Sequence, residues 1–157
     1  MILKNVIEED FTNYKQCSMF LGFPRCTFKC EKECGKKMCQ NSILATSPDI
    51  EISNSMLIER YQTNPLTRAV VCGGLEPFDS WEELKEFIAE FRLTSEDTII
   101  IYTGYNQEEV VDKIMWLKAF PNIIVKFGRF VPDQEKHYDN TLGIMLASDN
   151  QYAERIS

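Results

Sequence analysis

Four of the six cysteines of this chain lie within fourteen residues, at Cys26, Cys30, Cys34 and Cys39. We call the stretch that carries them, residues 25–41, the cysteine segment. Clustered thiols are typical of a disulfide framework in an exported protein or of a metal site. Residues 1–10 mix one lysine with three acidic residues and contain no apolar stretch of the signal-peptide kind. The sequence therefore predicts a metal site rather than disulfides.

The spacing of these cysteines leaves two kinds of metal site open. Three thiolates on a short loop can hold an iron–sulfur cubane and leave one iron free to bind a small molecule. All four cysteines could instead bind a structural zinc ion. Zinc loops usually begin with roughly two residues between a ligand pair, whereas the gaps here are three, three and four residues. The spacing favours iron–sulfur. Cys17 and Cys72 are interpreted as core residues.

The charge balance excludes one large class of function. With 24 acidic and 17 basic residues, the chain has a net charge of −7, and it lacks the basic excess that binding to nucleic-acid phosphates requires. The lysines at 29, 32, 36 and 37 form a small local patch, which we interpret as a solvated loop. No apolar run approaches the roughly 20 residues needed to span a membrane. We expect a cytoplasmic protein that binds neither nucleic acid nor membrane.

Short apolar runs alternate with helical patterns, and nothing in the composition divides the chain, so we expect one domain over residues 1–157. The pattern predicts a mostly parallel sheet in an α/β fold. The predicted strands are residues 18–23, 68–72, 98–102, 122–127 and 142–147. The predicted helices are residues 53–62 with Ser53 or Asn54 as cap, residues 81–92 with a Ser80–Glu83 capping box, and a third from the cap Asn106 through Lys118.

Three chemically interesting loops follow three of these strands. The cysteine segment comes after the first predicted strand, Gly73-Gly74 after the second and Thr103-Gly104-Tyr105 after the third. Parallel strands end at the same edge of a sheet, and ligands of such folds bind there. We therefore expect the three loops to form one site.

The order of these motifs resembles that of the small radical S-adenosylmethionine enzymes, and most closely that of the activating proteins of anaerobic ribonucleotide reductase. The CxxxCxxC loop of that family is matched in its first half by Cys26 and Cys30, and an Asn follows its last Cys as Asn41 follows Cys39. The matches to its GGEP, TGY and GSxNQ motifs are residues 73–78, 103–105 and 147–151. They extend over nearly the whole chain.

This resemblance implies a small, incomplete βα barrel with a mostly parallel sheet. It also implies an enzyme that reductively cleaves S-adenosylmethionine and generates a glycyl radical on a partner, with an anaerobic ribonucleotide reductase as the expected partner and an electron donor such as flavodoxin. The implied ligands of a [4Fe-4S] cluster are Cys26, Cys30 and a third cysteine. The residues implied to bind S-adenosylmethionine are Gly73, Gly74, Glu76, Thr103 and Asn150.

The sequence departs from the family pattern in two places that leave alternatives open. Eight residues separate Cys30 from Cys39, and three separate it from Cys34. We favour Cys39 as the third ligand because the family usually has an apolar residue before its third Cys, a place that Met38 fits and Glu33 does not, with Cys34 as the alternative. Leu75 is inserted between Gly74 and Glu76. A divergent enzyme acting on another peptide, or a non-catalytic iron–sulfur or zinc module of the same fold, therefore remains an alternative.

Overall fold

The computed structural model describes all residues from Met1 to Ser157. It contains ten strands and five α-helices. The strands are β1 (Ile2–Leu3), β2 (Asn5–Asp10), β3 (Ser18–Phe23), β4 (Ile50–Glu51), β5 (Ala69–Gly74), β6 (Thr98–Tyr102), β7 (Ile123–Phe127), β8 (His137–Asp139), β9 (Ile144–Leu146) and β10 (Tyr152–Arg155). The helices are α1 (Lys29–Cys34), α2 (Ser42–Thr46), α3 (Asn54–Thr63), α4 (Trp81–Phe91) and α5 (Val111–Leu117).

Six strands form a central sheet in the order β10-β7-β6-β5-β3-β2. The four inner strands β3, β5, β6 and β7 are parallel, and β2 and β10 pair antiparallel at the two edges. The sheet does not close on itself. The prediction of a mostly parallel α/β fold with an open, incomplete barrel is therefore confirmed.

Both faces of the inner strands are covered, which explains why the strand sequences are uniformly apolar. On one face, side chains of alternate positions such as Val70, Ile99 and Val125 pack with α3, α4 and α5 in the main core. On the other face, Val71 and Ile100 pack against a smaller group of residues from the β2–β3 connection and the β8–β9 hairpin. None of the helices has the length and hydropathy needed to cross a lipid bilayer.

Three of the predicted elements need correction. Residues 142–147 do not extend the main sheet, because only Ile144–Leu146 is a strand and it pairs antiparallel with β8. The predicted helix after Asn106 is interrupted: a 3-10 turn over Gln107–Glu109 precedes α5, and Val110 between them is non-helical. Asn106 nevertheless caps that turn in a capping box with Glu109.

The third correction concerns the start of α4. Ser80 makes no side-chain capping hydrogen bond, because the 3-10 turn Pro77–Ser80 leads directly into the helix. The predicted partner Glu83 forms an ion pair with Arg25 instead, with Oε1 3.4 Å from Nη2. The cap predicted at Ser53 is confirmed, since its Oγ accepts a hydrogen bond from the backbone N–H of Met56.

Candidate functional site

A cleft opens at the carboxyl ends of the parallel strands, where the three predicted loops meet. The cysteine segment after β3, the end of β5 and the loop after β6 all line it, and residues just beyond β7 complete it. The parallel pairing alone brings these loops together, since the four strands end at one edge. The predicted convergence of the three loops is therefore present in the fold.

The cysteine segment turns back over the cleft and brings three of its thiols to the wall. Cys26, Cys30 and Cys39 are partly buried and line the cleft, whereas Cys34 is exposed on α1 and does not. The Glu31 carboxylate accepts hydrogen bonds from the backbone N–H groups of Met38 and Cys39, at 3.2 and 3.0 Å. These bonds fold the longer loop back, so that Cys39 lies on the same cleft as the first two thiols.

Burial sets the protonation of two of these thiols. Burial raises the pKa of Cys26 to about 12, and the backbone N–H of Phe28, which donates to Sγ at 3.2 Å, acts in the opposite direction. Burial also raises the pKa of Cys30, and the charge of Cys39 adds to the effect. Such thiols keep their protons near neutral pH until a metal displaces them.

The chemistry of this donor set fits a cluster better than a single ion. Nowhere in the chain do three or more His, Cys, Asp or Glu side chains converge closely enough to hold one metal ion. A closed zinc site needs four ligands, and Cys34 lies apart on the exposed side of α1. An iron–sulfur cubane with one open iron needs three thiolates, which is the number of cysteines that line the cleft.

The end of β5 lies against both the neighbouring strand and the cysteine segment. Gly74 has φ +93°, and a Cβ there would lie 2.8 Å from Cα of Gly22 and from the backbone nitrogen of Phe23. Its carbonyl oxygen accepts a hydrogen bond of 2.6 Å from Nδ2 of Asn41. Gly74 lines the cleft but Gly73 does not. A glycine is therefore required at 74 by backbone contact, and Asn41 fixes the cysteine segment to it.

The inserted Leu75 extends the strand end rather than disrupting it. Its backbone N–H donates to the carbonyl oxygen of Phe23 at 3.2 Å, and the residue lines the cleft. Glu76 follows at the cap of the 3-10 turn and is only 4% exposed. Its two carboxylate oxygens accept hydrogen bonds from the backbone N–H groups of Phe78 (3.1 Å) and Gly104 (2.8 Å).

Burial dominates the electrostatics of Glu76. It raises the pKa of the carboxyl group to about 7, although the donated hydrogen bonds oppose that rise. A cation on the same wall accompanies it: Lys126 is 6% exposed, lines the cleft and donates to the Gly128 carbonyl oxygen at 2.8 Å. Burial lowers the pKa of Lys126 to about 8. The cleft thus holds one buried acid and one buried base.

An ionic clamp holds α1 over the cleft. Arg129 makes a two-pronged contact with Glu109 at 2.9 and 2.7 Å, and its Nε lies 3.4 Å from Glu33 on α1. Lys29, also on α1, lies 3.4 Å from Glu109 and 4.6 Å from the centre of the Tyr105 ring. These contacts connect the cysteine segment to the loop after β6 and to the end of β7.

The remaining predicted residues differ in their positions. Thr103 lines the cleft, and its hydroxyl accepts a hydrogen bond from the backbone N–H of Tyr105 at 3.0 Å. Asn150 does not line the cleft; its Nδ2 donates to the Arg129 carbonyl oxygen at 2.8 Å, which braces the rim from outside. The neighbouring Gln151 lines it instead.

Sequence reasoning missed Lys126, Arg129 and Glu109. A signal for the first was present, because Lys126 is the one charged residue in the buried strand Ile123–Phe127 and is aligned with Tyr102 across the sheet. A charge at such a position needs a reason. The ion pair of Arg129 and Glu109 joins residues 20 positions apart, and no local sequence pattern predicts such a contact.

The family comparison agrees with this geometry. Residues 15–152 match the family model of the 4Fe-4S single cluster domain. The chain matches no curated protein and no solved structure. The matched region includes every cysteine that lines the cleft and all four parallel strands, and it favours an iron–sulfur cluster over zinc. The chain therefore belongs to the family of 4Fe-4S single cluster domains.

Proposed function

We propose that this protein is a radical S-adenosylmethionine enzyme whose cluster is held by Cys26, Cys30 and Cys39. The observation that carries the proposal is the meeting of these thiols with the end of β5 and the loop after β6 in one cleft. The hydrogen bond from Asn41 to Gly74 supports it, because it joins the cysteine segment to the glycine motif.

The proposed chemistry needs three thiolates and an open iron. When bound, such a cluster supplies one electron to the sulfonium of S-adenosylmethionine, which yields methionine and a 5′-deoxyadenosyl radical able to remove a hydrogen atom from a partner protein. The chain's own part is to position the ligand and to exclude water. Leu75 and Met38 supply apolar wall next to the thiols.

The cleft offers complementary groups for the methionine end of this ligand. Its ammonium needs acceptors, and we assign that role to Glu76 and to the backbone around Gly74, with Gly73 acting only through the fold of the strand end. Its carboxylate needs a cation, and Lys126 is the buried one on the same wall. Thr103 lines the cleft next to Lys126, whose carbonyl oxygen accepts a hydrogen bond from the Thr103 backbone N–H at 2.9 Å, and we assign Asn150 a supporting position behind Arg129.

We further propose that the hydrogen donor is a glycine of a glycyl-radical protein, namely an anaerobic ribonucleotide reductase. The order of the motifs along the chain supports this assignment. A one-electron donor such as flavodoxin would reduce the cluster, and the reaction would take place in the cytoplasm. Co-purification with a reductase that has a glycyl-radical site near its C-terminus would separate this function from that of a relative acting on another peptide.

The test is anaerobic reconstitution with iron and sulfide, followed by reduction with and without S-adenosylmethionine. We expect the electron paramagnetic resonance spectrum of the reduced cluster to change when S-adenosylmethionine is added, and 5′-deoxyadenosine to be released. Cys26→Ala and Cys39→Ala should lose the cluster, and Cys34→Ala, the matched control on α1, should keep it. Loss of the cluster in Cys34→Ala but not in Cys39→Ala would reverse the choice of third ligand.

A second function, a non-catalytic cluster-binding module, is favoured by one observation. Leu75, inserted between Gly74 and Glu76, lines the cleft, and both oxygens of Glu76 already accept backbone N–H groups. In that case the cluster would form but its spectrum would not respond to S-adenosylmethionine. Deleting Leu75 would then be the variant to examine, with Leu75→Ala as the control for loss of the side chain alone.

A further inference from the structure

Three lysines stand free on the outer side of the cysteine segment. Lys32, Lys36 and Lys37 are exposed and, with Phe28, Glu31 and Gly35, border a shallow depression. We call these three lysines the lysine patch. None of them takes part in an ion pair, whereas Lys29 on the same segment is engaged with Glu109. The depression shares no residue with the lining of the cleft.

The two glutamates of this stretch offset the charge of the lysine patch only in part. The Glu31 carboxylate accepts from the backbone N–H groups of Met38 and Cys39, and the carboxylate of Glu33 lies against Arg129. Three positive charges within six residues therefore face solvent on a chain whose net charge is −7. A local field of opposite sign to that of the whole molecule orients an approaching charged partner.

The lysine patch is also adjacent to the thiols along the chain. Lys32 follows Cys30 on α1, and Met38 and Cys39 follow Lys37 directly. A protein bound to the patch would therefore contact the segment that carries the cluster while leaving the mouth of the cleft free. Short separation matters because the rate of electron transfer falls steeply with distance.

We propose that the lysine patch is the docking surface for an acidic one-electron donor protein. This inference rests on the proposed function in one respect: the cluster must receive its electron from another protein. The donor loses one electron and the cluster gains it; no bond forms or breaks and no proton moves. Redox partners typically form small, short-lived interfaces, and charge complementarity raises their association rate more than their affinity. Three exposed lysines suit such an encounter.

The experiment compares two variants with the same change in net charge. The patch variant carries Lys32→Glu, Lys36→Glu and Lys37→Glu. The control carries Lys15→Glu, Lys118→Glu and Lys136→Glu, three exposed lysines that form no ion pair and do not line the cleft. The probe is an acidic flavodoxin. The affinity of its oxidised form, from isothermal titration calorimetry, and the rate at which its reduced form reduces the cluster are measured with the reconstituted protein at low and high salt.

We expect the patch variant to lose at least about tenfold in the bimolecular rate of cluster reduction at low salt, with weaker flavodoxin binding, and the control to lose far less. Added salt should slow the wild-type protein and affect the patch variant little. Reduction by dithionite should be equal in all three proteins. Equal rates with flavodoxin in the wild-type and patch-variant proteins, or equal losses in the two variants, would overturn the proposal.

The two proposals fail in different ways. If the flavodoxin-reduced cluster shows the patch dependence but releases no 5′-deoxyadenosine, the docking surface stands and the radical function fails. If dithionite supports cleavage of S-adenosylmethionine in both variants while flavodoxin reduces both at the wild-type rate, the radical function stands and the docking surface fails. Circular dichroism and iron content of each variant verify that the fold and the cluster are intact.

Discussion

Replacing Gly74 by alanine tests how closely β3 and β5 approach at the edge of the cleft. The added Cβ would lie 2.8 Å from Cα of Gly22 and from the backbone nitrogen of Phe23. Both atoms belong to the backbone of the neighbouring strand, so neither can move as a side chain would. The residue also has φ +93°, where an L-amino acid is strained.

The expected cost follows from these two effects. Left-handed backbone strain costs about 1–2 kcal/mol, and forcing a methyl group into a packed backbone contact adds about 1–3 kcal/mol. For a total of about 3 kcal/mol, a domain of this size should lose roughly 6–12 °C in Tm. The free energy of unfolding is measured for the apo-protein from urea titrations in the presence of a thiol reductant.

The matched control is Gly35→Ala at the end of α1. Gly35 has φ +65°, but nothing lies within 4 Å of where its Cβ would be. This variant has the backbone strain without the collision, so it should lose only about 1 kcal/mol. If Gly74→Ala costs no more than Gly35→Ala, the close approach of the two strands is wrong, and with it the account of why the glycine motif lies at the edge of the cleft.

Three further predictions concern the groups that hold the site together. Asn41→Ala removes the hydrogen bond to Gly74, which is worth about 1 kcal/mol. Limited proteolysis of the cysteine segment should therefore become several-fold faster, and an unchanged rate would show that this bond does not hold the segment. The hydrogen-bonded Arg129 lowers the pKa of Glu109 from its ordinary value of about 4.5 to about 2. The ion pair therefore stabilises the folded protein above pH 4.5, and this stabilisation is lost as the pH falls from about 4.5 towards 2. In Glu109→Gln, the fall in the free energy of unfolding over this pH range should be smaller by under about 1 kcal/mol, because the pair is partly exposed. Urea unfolding at each pH measures it. Burial lowers the pKa of Lys126 to about 8, so the contribution of this residue to the free energy of unfolding should rise by up to about 3 kcal/mol from pH 8 to pH 10.5, as the buried ammonium loses its proton in the folded protein first. Lys126→Met should abolish that rise, and parallel pH profiles for the two proteins would contradict it.

The parallel centre of the fold could be predicted because its signals are local. Residues 18–23 and 98–102 are apolar runs bounded by polar or glycine-containing turns, and both are strands with those bounds. The ends of such strands also predicted where the loops would meet. The capped helix after Ser53 follows from the same kind of local chemistry, a hydroxyl that accepts a backbone N–H.

The edges and the clamp could not be predicted in this way. Residues 5–10 carry three acidic side chains and lack a strand pattern, yet they form the edge strand β2 because β3 offers them a free row of backbone groups. The short helix α1 lies within a polar segment and buries no residue. It is held by Arg129 through Glu33 and by Glu109 through Lys29, contacts that only the folded chain brings together.

The position of β10 has a consequence for how the protein is made. The cleft is built from residues between Cys26 and Gln151, and β10 pairs with β7 only after residues 152–155 exist. During synthesis the cysteine segment leaves the ribosome early, while the rim formed by Gly128 and Gln151 is still missing. Long-range pairing of this kind comes late in folding. We therefore expect stable cluster insertion to follow translation, and ribosome-bound chains truncated before residue 150 to fail to retain iron.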